Sequence, residues 1–136
     1  MEATILIVDD EADVRSYLEM LLRDEGYRTL SAVDGESGLA MLRAERPALV
    51  VLDISMPRSS GTRLYRELRA DPALAETAVV IVTAVTGYGG DPYGYEKFLE
   101  GRHVPPPDAF FPKPIHREPF LVRVRELLAG RTVDAS

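Results

Sequence analysis

Two kinds of apolar spacing alternate along the chain. Short continuous runs stand at TILIV (4–8), RTLSA (28–32), ALVVL (48–52), AVVIV (78–82) and AFF (109–111). Runs apolar on both faces fit parallel strands covered on each side better than half-solvated antiparallel ones. Between them the spacing becomes helical. Val14, Tyr17, Leu18, Leu21 and Leu22 follow the 3, 4, 7, 8 pattern of one helix face, and Gly26 supplies a stop. Leu39 and Leu42 mark a second helix after the Asp34-Gly35 turn, ended by Pro47. Leu64 and Leu68 mark a third, opened by Ser59-Ser60-Gly61 and closed before Pro72. Phe120, Leu121, Val124, Leu127 and Leu128 mark the last, which fades into the polar tail RTVDAS. A repeated β-α alternation with right-handed crossovers predicts an α/β fold built on a doubly wound parallel sheet. In such sheets, sites form beyond the carboxyl ends of the strands.

Composition narrows the chemistry. The 136 residues suit one domain with a real core. Sixteen basic against 22 acidic side chains give a net charge of −6, which argues against binding nucleic acid or an anionic membrane surface. The absence of cysteine excludes disulfides, thiolate zinc sites and a Cys nucleophile. The first ten residues, MEATILIVDD, lack the basic segment and apolar length of a signal peptide, and no run approaches a membrane span. A cytoplasmic location is the expectation.

The strand ends deliver polar residues. The first strand ends in Asp9-Asp10, the third in Asp53, the fourth in Thr83, and the fifth runs through FFPKP to Lys113. Acids crowded together repel: two charges about 4 Å apart cost roughly 4 kcal/mol at an effective dielectric of 20. Either their pKa values rise or a cation joins them, and Mg²⁺ is the natural hard cation for carboxylate oxygens. With Mg²⁺ present, the Asp53 carboxylate has a task as a nucleophile towards a phosphoryl group. The metal, the Lys113 ammonium and the Thr83 hydroxyl would each neutralise one phosphoryl oxygen.

The motifs ILIVDDE, VVLDISMPRSSG, VIVTA and FPKP, in this order over roughly residues 4 to 129, resemble the receiver domain of two-component response regulators. The resemblance implies a flavodoxin-like five-stranded sheet of order 2-1-3-4-5. It implies Asp53 as phosphoacceptor, and Asp10, Asp53 and the backbone carbonyl of Ser55 as direct Mg²⁺ ligands, with Asp9 acting through water. Thr83 becomes the switch hydroxyl, Phe110 the aromatic rotamer switch, and Lys113-Pro114 a cis peptide. The partners implied are a sensor histidine kinase or phosphotransfer protein and an unidentified downstream protein. No enzyme activity is expected beyond the domain's own phosphorylation and dephosphorylation. Residues 1–130 are expected to form a stand-alone receiver and 131–136 a short tail.

Plainer readings stand beside these. Asp9 and Asp10 are also suited to capping the first helix, and Phe110 to the core. Arg63, Arg66 and Arg69 form a basic stripe expected to be a solvated face, and His103 and His116 carry no assigned role. Between Thr83 and Lys113 the sequence departs from the family. Gly87, Gly89, Gly90 and Gly94 disfavour helix, so the fourth helix is expected to be irregular or shortened, with only YEKFLEG (95–101) helical. The segment 84–108 is expected to be a loop serving as the phosphorylation-responsive partner surface. Ser60 replaces a common Asp or Asn, and His116 replaces a common Asp cap. Rival readings are a receiver excised from a larger hybrid kinase, a Mg²⁺-dependent phosphohydrolase with an Asp nucleophile, and an FMN carrier. The second would want an Asp-x-Asp pair on the first strand. The third would want a phosphate loop there, and DDEADV supplies neither.

Overall fold

The computed structural model describes residues 3–56, 60–83 and 107–135. Five strands, β1 (Thr4–Val8), β2 (Arg28–Ala32), β3 (Leu49–Asp53), β4 (Ala78–Thr83) and β5 (Ala109–Pro112), form one sheet of order β2-β1-β3-β4-β5. Every neighbouring pair is parallel. Among the described residues there are four helices, α1 (Ala12–Asp24), α2 (Gly35–Glu45), α3 (Ser60–Ala70) and α4 (Arg117–Ala135). The expected irregular helix near 95–101 and the expected partner surface lie outside the described residues, apart from Pro107 and Asp108.

The two-residue period of the strands explains why their sequences are apolar throughout. Leu6, Val8, Val50, Leu52, Val79 and Ile81 join one buried cluster with Leu39, Leu42, Leu64 and Leu68 of α2 and α3. Ile5, Ile7, Val51, Val80 and Val82 join the other with Leu18, Leu21, Leu22, Phe120 and Val124 of α1 and α4. Successive side chains of the three central strands thus enter opposite layers, and neither face of those strands meets water, while the edge strands β2 and β5 are partly exposed. Full burial of each such aliphatic side chain contributes about 1.5–3 kcal/mol, which anchors the strand ends against the repulsion they carry.

Local chemistry sets the helix boundaries. Gly26, at φ +93°, ends α1: its N–H reaches Arg23 O at 2.9 Å while Tyr27 N–H reaches Leu22 O at 3.1 Å. That pair of bonds is a Schellman cap, which calls for the left-handed residue that glycine supplies at least cost. Asp34 caps α2 by accepting the Ser37 N–H at 2.8 Å. These bonds hold the Asp34 carboxyl below its usual pKa.

The third strand begins at Leu49 and, as expected, ends in Asp53, which pairs with Val82 and is fixed inside the ladder. Two expectations need correction. The last helix runs through the expected tail to Ala135. Gly130 lowers helix propensity by about 1 kcal/mol without forbidding the helical backbone, and no proline follows it. The arginine stripe is not a uniformly solvated face. Arg63 is exposed, but the Arg69 side chain is only 8% exposed and pairs with Asp108 at 3.3 Å. Position 69 falls on the last turn of α3, where it overhangs the amino end of the sheet.

Candidate functional site

The strand ends meet as the topology requires. β1 hands on Asp9, fully buried, and Asp10, exposed. Asp53 closes β3 at 1% exposure and Thr83 closes β4 at 2%. Lys113 follows β5, and its N–H donates to Thr83 O at 2.7 Å, locking the two residues in register. The Lys113-Pro114 bond is cis, where the sequence motif placed it.

Gly61 governs how closely α3 approaches this corner. A Cβ there would collide with the Asp53 carbonyl oxygen and come within 2.9 Å of Ile54 Cα. Only a residue without a side chain lets the helix start directly against the end of β3.

The two Asp53 oxygens have different surroundings. Oδ1 accepts the Ser55 N–H at 2.8 Å and the Ser55 hydroxyl at 2.6 Å. Oδ2 accepts from Lys113 Nζ at 3.3 Å. Lys113 Nζ also lies 3.0 Å from Asp9 Oδ2 and 3.1 Å from Glu11 Oε1. Burial would by itself push the Lys113 pKa down. The Asp53 charge, with the Asp9 and Glu11 contacts, outweighs that and raises it, so the ammonium keeps its proton.

Asp9 is not a helix cap of the ordinary kind. Its Oδ1 takes the Glu11 N–H at 2.9 Å, and its backbone carbonyl accepts from Arg15 Nη1 at 2.8 Å. Burial raises its carboxyl pKa, with repulsion from Asp53 adding to the effect, against the lowering influence of the Glu11 N–H and Lys113. Thr83 Oγ1 is buried without a hydrogen-bond partner among the described residues, whereas the buried Asp9 Oδ2 has its ion pair with Lys113 Nζ at 3.0 Å. A buried polar atom is rarely left without a partner, and one so left costs about 1–3 kcal/mol.

Asp9, Asp10, Glu11 and Asp53 each place an oxygen within 4.8 Å of the others. Four carboxylates beside one ammonium leave an excess of negative charge, and all the donors are hard oxygens. Glu11 is turned to Lys113, and the oxygens of Asp9, Asp10 and Asp53 fit a small divalent cation of the Mg²⁺ kind.

Of the predicted residues, Asp9, Asp10, Asp53 and Lys113 come together here, with Thr83 held to Lys113 through the backbone and Ser55 on Asp53. Phe110 is half-buried and packs against the α2–α3 side cluster, beside Ile81 in the β4–β5 register. Its neighbour Phe111 faces the other layer, edge-on to Phe120 at 5.7 Å. Sequence reasoning gave no role to Glu11 or Asp108. The acid after Asp9-Asp10 was the available signal for Glu11; nothing in the local sequence singles out Asp108.

Comparisons with known proteins agree with this geometry. Residues 5–90 match the family model of the response regulator receiver domain. The chain is 38% identical over 134 residues to the response regulator PleD of Caulobacter vibrioides, covering 98% of this chain and 28% of that protein. It therefore spans well under two thirds of that relative. Among solved structures, it superposes on a receiver domain of a signal transduction histidine kinase from Syntrophus aciditrophicus with a TM-score of 0.80. That match has 30% identity and covers 94% of this chain and 91% of that one. A CheY-like receiver domain protein from Methanospirillum hungatei gives a TM-score of 0.81 at 25% identity, covering 98% and 99% of the two chains.

Proposed function

The chain belongs to the response regulator receiver family, a family of two-component signalling, and on that premise we propose that Asp53 is its phosphoacceptor. The observation that carries this is the placing of a buried carboxylate between a charged lysine at 3.3 Å and three further acids. A partner's phosphohistidine, on a sensor histidine kinase or phosphotransfer protein, supplies the phosphoryl group. An Asp53 carboxylate oxygen forms the new bond to phosphorus as the phosphorus–nitrogen bond breaks, and that electron pair returns to the imidazole.

Asp10, Asp53 and the Ser55 carbonyl are the residues proposed to hold Mg²⁺ directly, and Asp9 through water. When bound, the cation supplies neutralisation of the phosphoryl oxygens. The Lys113 ammonium neutralises a second oxygen, and the buried Thr83 hydroxyl, lacking a partner among the described residues, turns to a third. Movement of Thr83 then releases space for Phe110 to change rotamer, altering the surface read by a downstream protein. Residues 1–130 constitute the receiver in this reading, with 131–136 as a tail whose residues 131–135 continue the last helix. The domain acts in the cytoplasm and catalyses only its own phosphorylation and dephosphorylation. None of the described helices is long and apolar enough to cross a membrane, and the net charge of −6 disfavours nucleic acid as a partner.

The test is incubation with acetyl phosphate and Mg²⁺, read by intact mass. The wild type gains one phosphoryl group and Asp53→Asn gains none. Undiminished labelling of that variant excludes Asp53.

A further inference from the structure

Glu11 occupies the N-cap of α1, where Ser, Thr, Asp or Asn are the residues that satisfy the first-turn N–H groups. Its backbone is extended (φ −95°, ψ 118°), yet its side chain makes no capping hydrogen bond. The carboxylate accepts instead from Lys113 Nζ at 3.1 Å, 102 residues away in sequence. Helix-end stabilisation is given up for this contact. The contact adds little stability in return, because the Glu11 side chain is 62% exposed and such pairs are weak. Neutralising Lys113 does not require it either, since Asp9 and Asp53 already stand at 3.0 and 3.3 Å.

We propose that Glu11 is a positioning residue that holds one donor of the Lys113 ammonium against an incoming phosphoryl oxygen and thereby slows phosphorylation of the site. The inference rests on the phosphoacceptor reading of Asp53. An ammonium has three donors, and three carboxylates surround this one. A phosphoryl oxygen arriving at Asp53 gains Lys113 only by displacing one of them. Asp9 and Asp53 share their charge with whatever cation enters the cluster. Glu11, the outermost of the three, keeps its hold on Lys113 and competes directly with the phosphoryl oxygen.

The experiment compares wild type, Glu11→Gln and Glu11→Asp, labelled with acetyl phosphate at saturating Mg²⁺ and several salt concentrations, with Mg²⁺ affinity measured alongside. Glu11→Gln keeps the shape and removes the charge. Its second-order labelling rate is expected to rise about two- to fivefold, the ceiling set by an exposed pair. The ratio to wild type should shrink towards one as salt screens the pair, and Mg²⁺ affinity should stay within about twofold. Glu11→Asp keeps the charge but loses one methylene of reach, so it should gain most of the same acceleration. A Glu11→Gln rate equal to or below wild type overturns the proposal. If Mg²⁺ affinity falls with it, Glu11 belongs to the metal side. A Glu11→Asp rate equal to wild type also overturns it, because charge rather than position then governs. A wild type that takes no label removes the phosphoacceptor reading itself, an outcome distinguishable from all of these.

Discussion

At the amino end of the sheet, Asp108 Oδ2 accepts the Val79 N–H at 2.8 Å and Arg69 Nη2 at 3.3 Å. Arg69 Nη1 donates to the carbonyls of Ala75 and Thr77 at 2.8 and 3.0 Å, and its guanidinium lies 5.3 Å from the Tyr65 ring centroid. Arg123 closes the group by donating to Asp108 O at 2.9 Å. At the carboxyl end, three acids share one lysine with a fourth, Asp10, beside them, and Thr83 Oγ1 is left without a hydrogen-bond partner among the described residues. Both ends bury charge. One is closed, with donors matched to acceptors across α3, β4, β5 and α4. The other is left short of positive charge and of hydrogen-bond partners, which is the condition for taking up a cation and a phosphoryl group.

The contrast is broken most forcefully at the closed end. Arg69→Ala should cost about 3 kcal/mol, the upper end for leaving acceptors without their donor, because it leaves Asp108 and two carbonyls short of donors. Denaturant unfolding should show that loss while labelling of Asp53 persists under folding conditions. A stability change below about 1 kcal/mol would mean that the amino-end cluster is not the structural clamp described.

Asp10→Ala should show the reverse pattern. Asp10 is exposed and contributes little to packing, so the fold should survive. Mg²⁺ at about 100 times its dissociation constant should stabilise the wild type by roughly 2.7 kcal/mol, and Asp10→Ala should lose most of that. Equal melting shifts with Mg²⁺ in both proteins would place the metal elsewhere.

Asp9→Asn probes the smallest effect. The Asp9 pKa is raised above 3.8, first by burial, so the folded state binds its proton more tightly than the unfolded state does. Without Mg²⁺, this residue's contribution to stability is therefore greatest below pH 3.8 and declines as pH rises through the raised value. Asp9→Asn should remove that decline and melt higher than wild type near neutral pH. A lower melting temperature for the variant across this range would contradict the electrostatic account.

Much of this was legible from pattern alone. A strand buried on both faces must be apolar at every position, so the acids that end such runs stand out: Asp9 and Asp53 are legible that way, and Lys113 by its place just past the fifth run. The misses have a common physical source. Arg69 belongs to an evenly spaced stripe, and spacing cannot tell which arginine overhangs the end of the sheet. Glu11 is largely exposed, and its role depends on a lysine brought beside it only by the crossover from β4 to β5. Arg46 ends α2 in the left-handed region at φ 46°, a conformation that its residue type does not signal.

The most direct measurement converts the proposed acyl phosphate into a stable mark. Protein incubated with acetyl phosphate and Mg²⁺ is reduced with borohydride, which turns an aspartyl phosphate into homoserine, and its peptides are then sequenced by mass spectrometry. The account predicts homoserine at residue 53 and at no other acid of the cluster. Homoserine at Asp9 or Asp10, 5-hydroxynorvaline at Glu11, or the absence of homoserine from a protein that has gained phosphoryl mass, would contradict it.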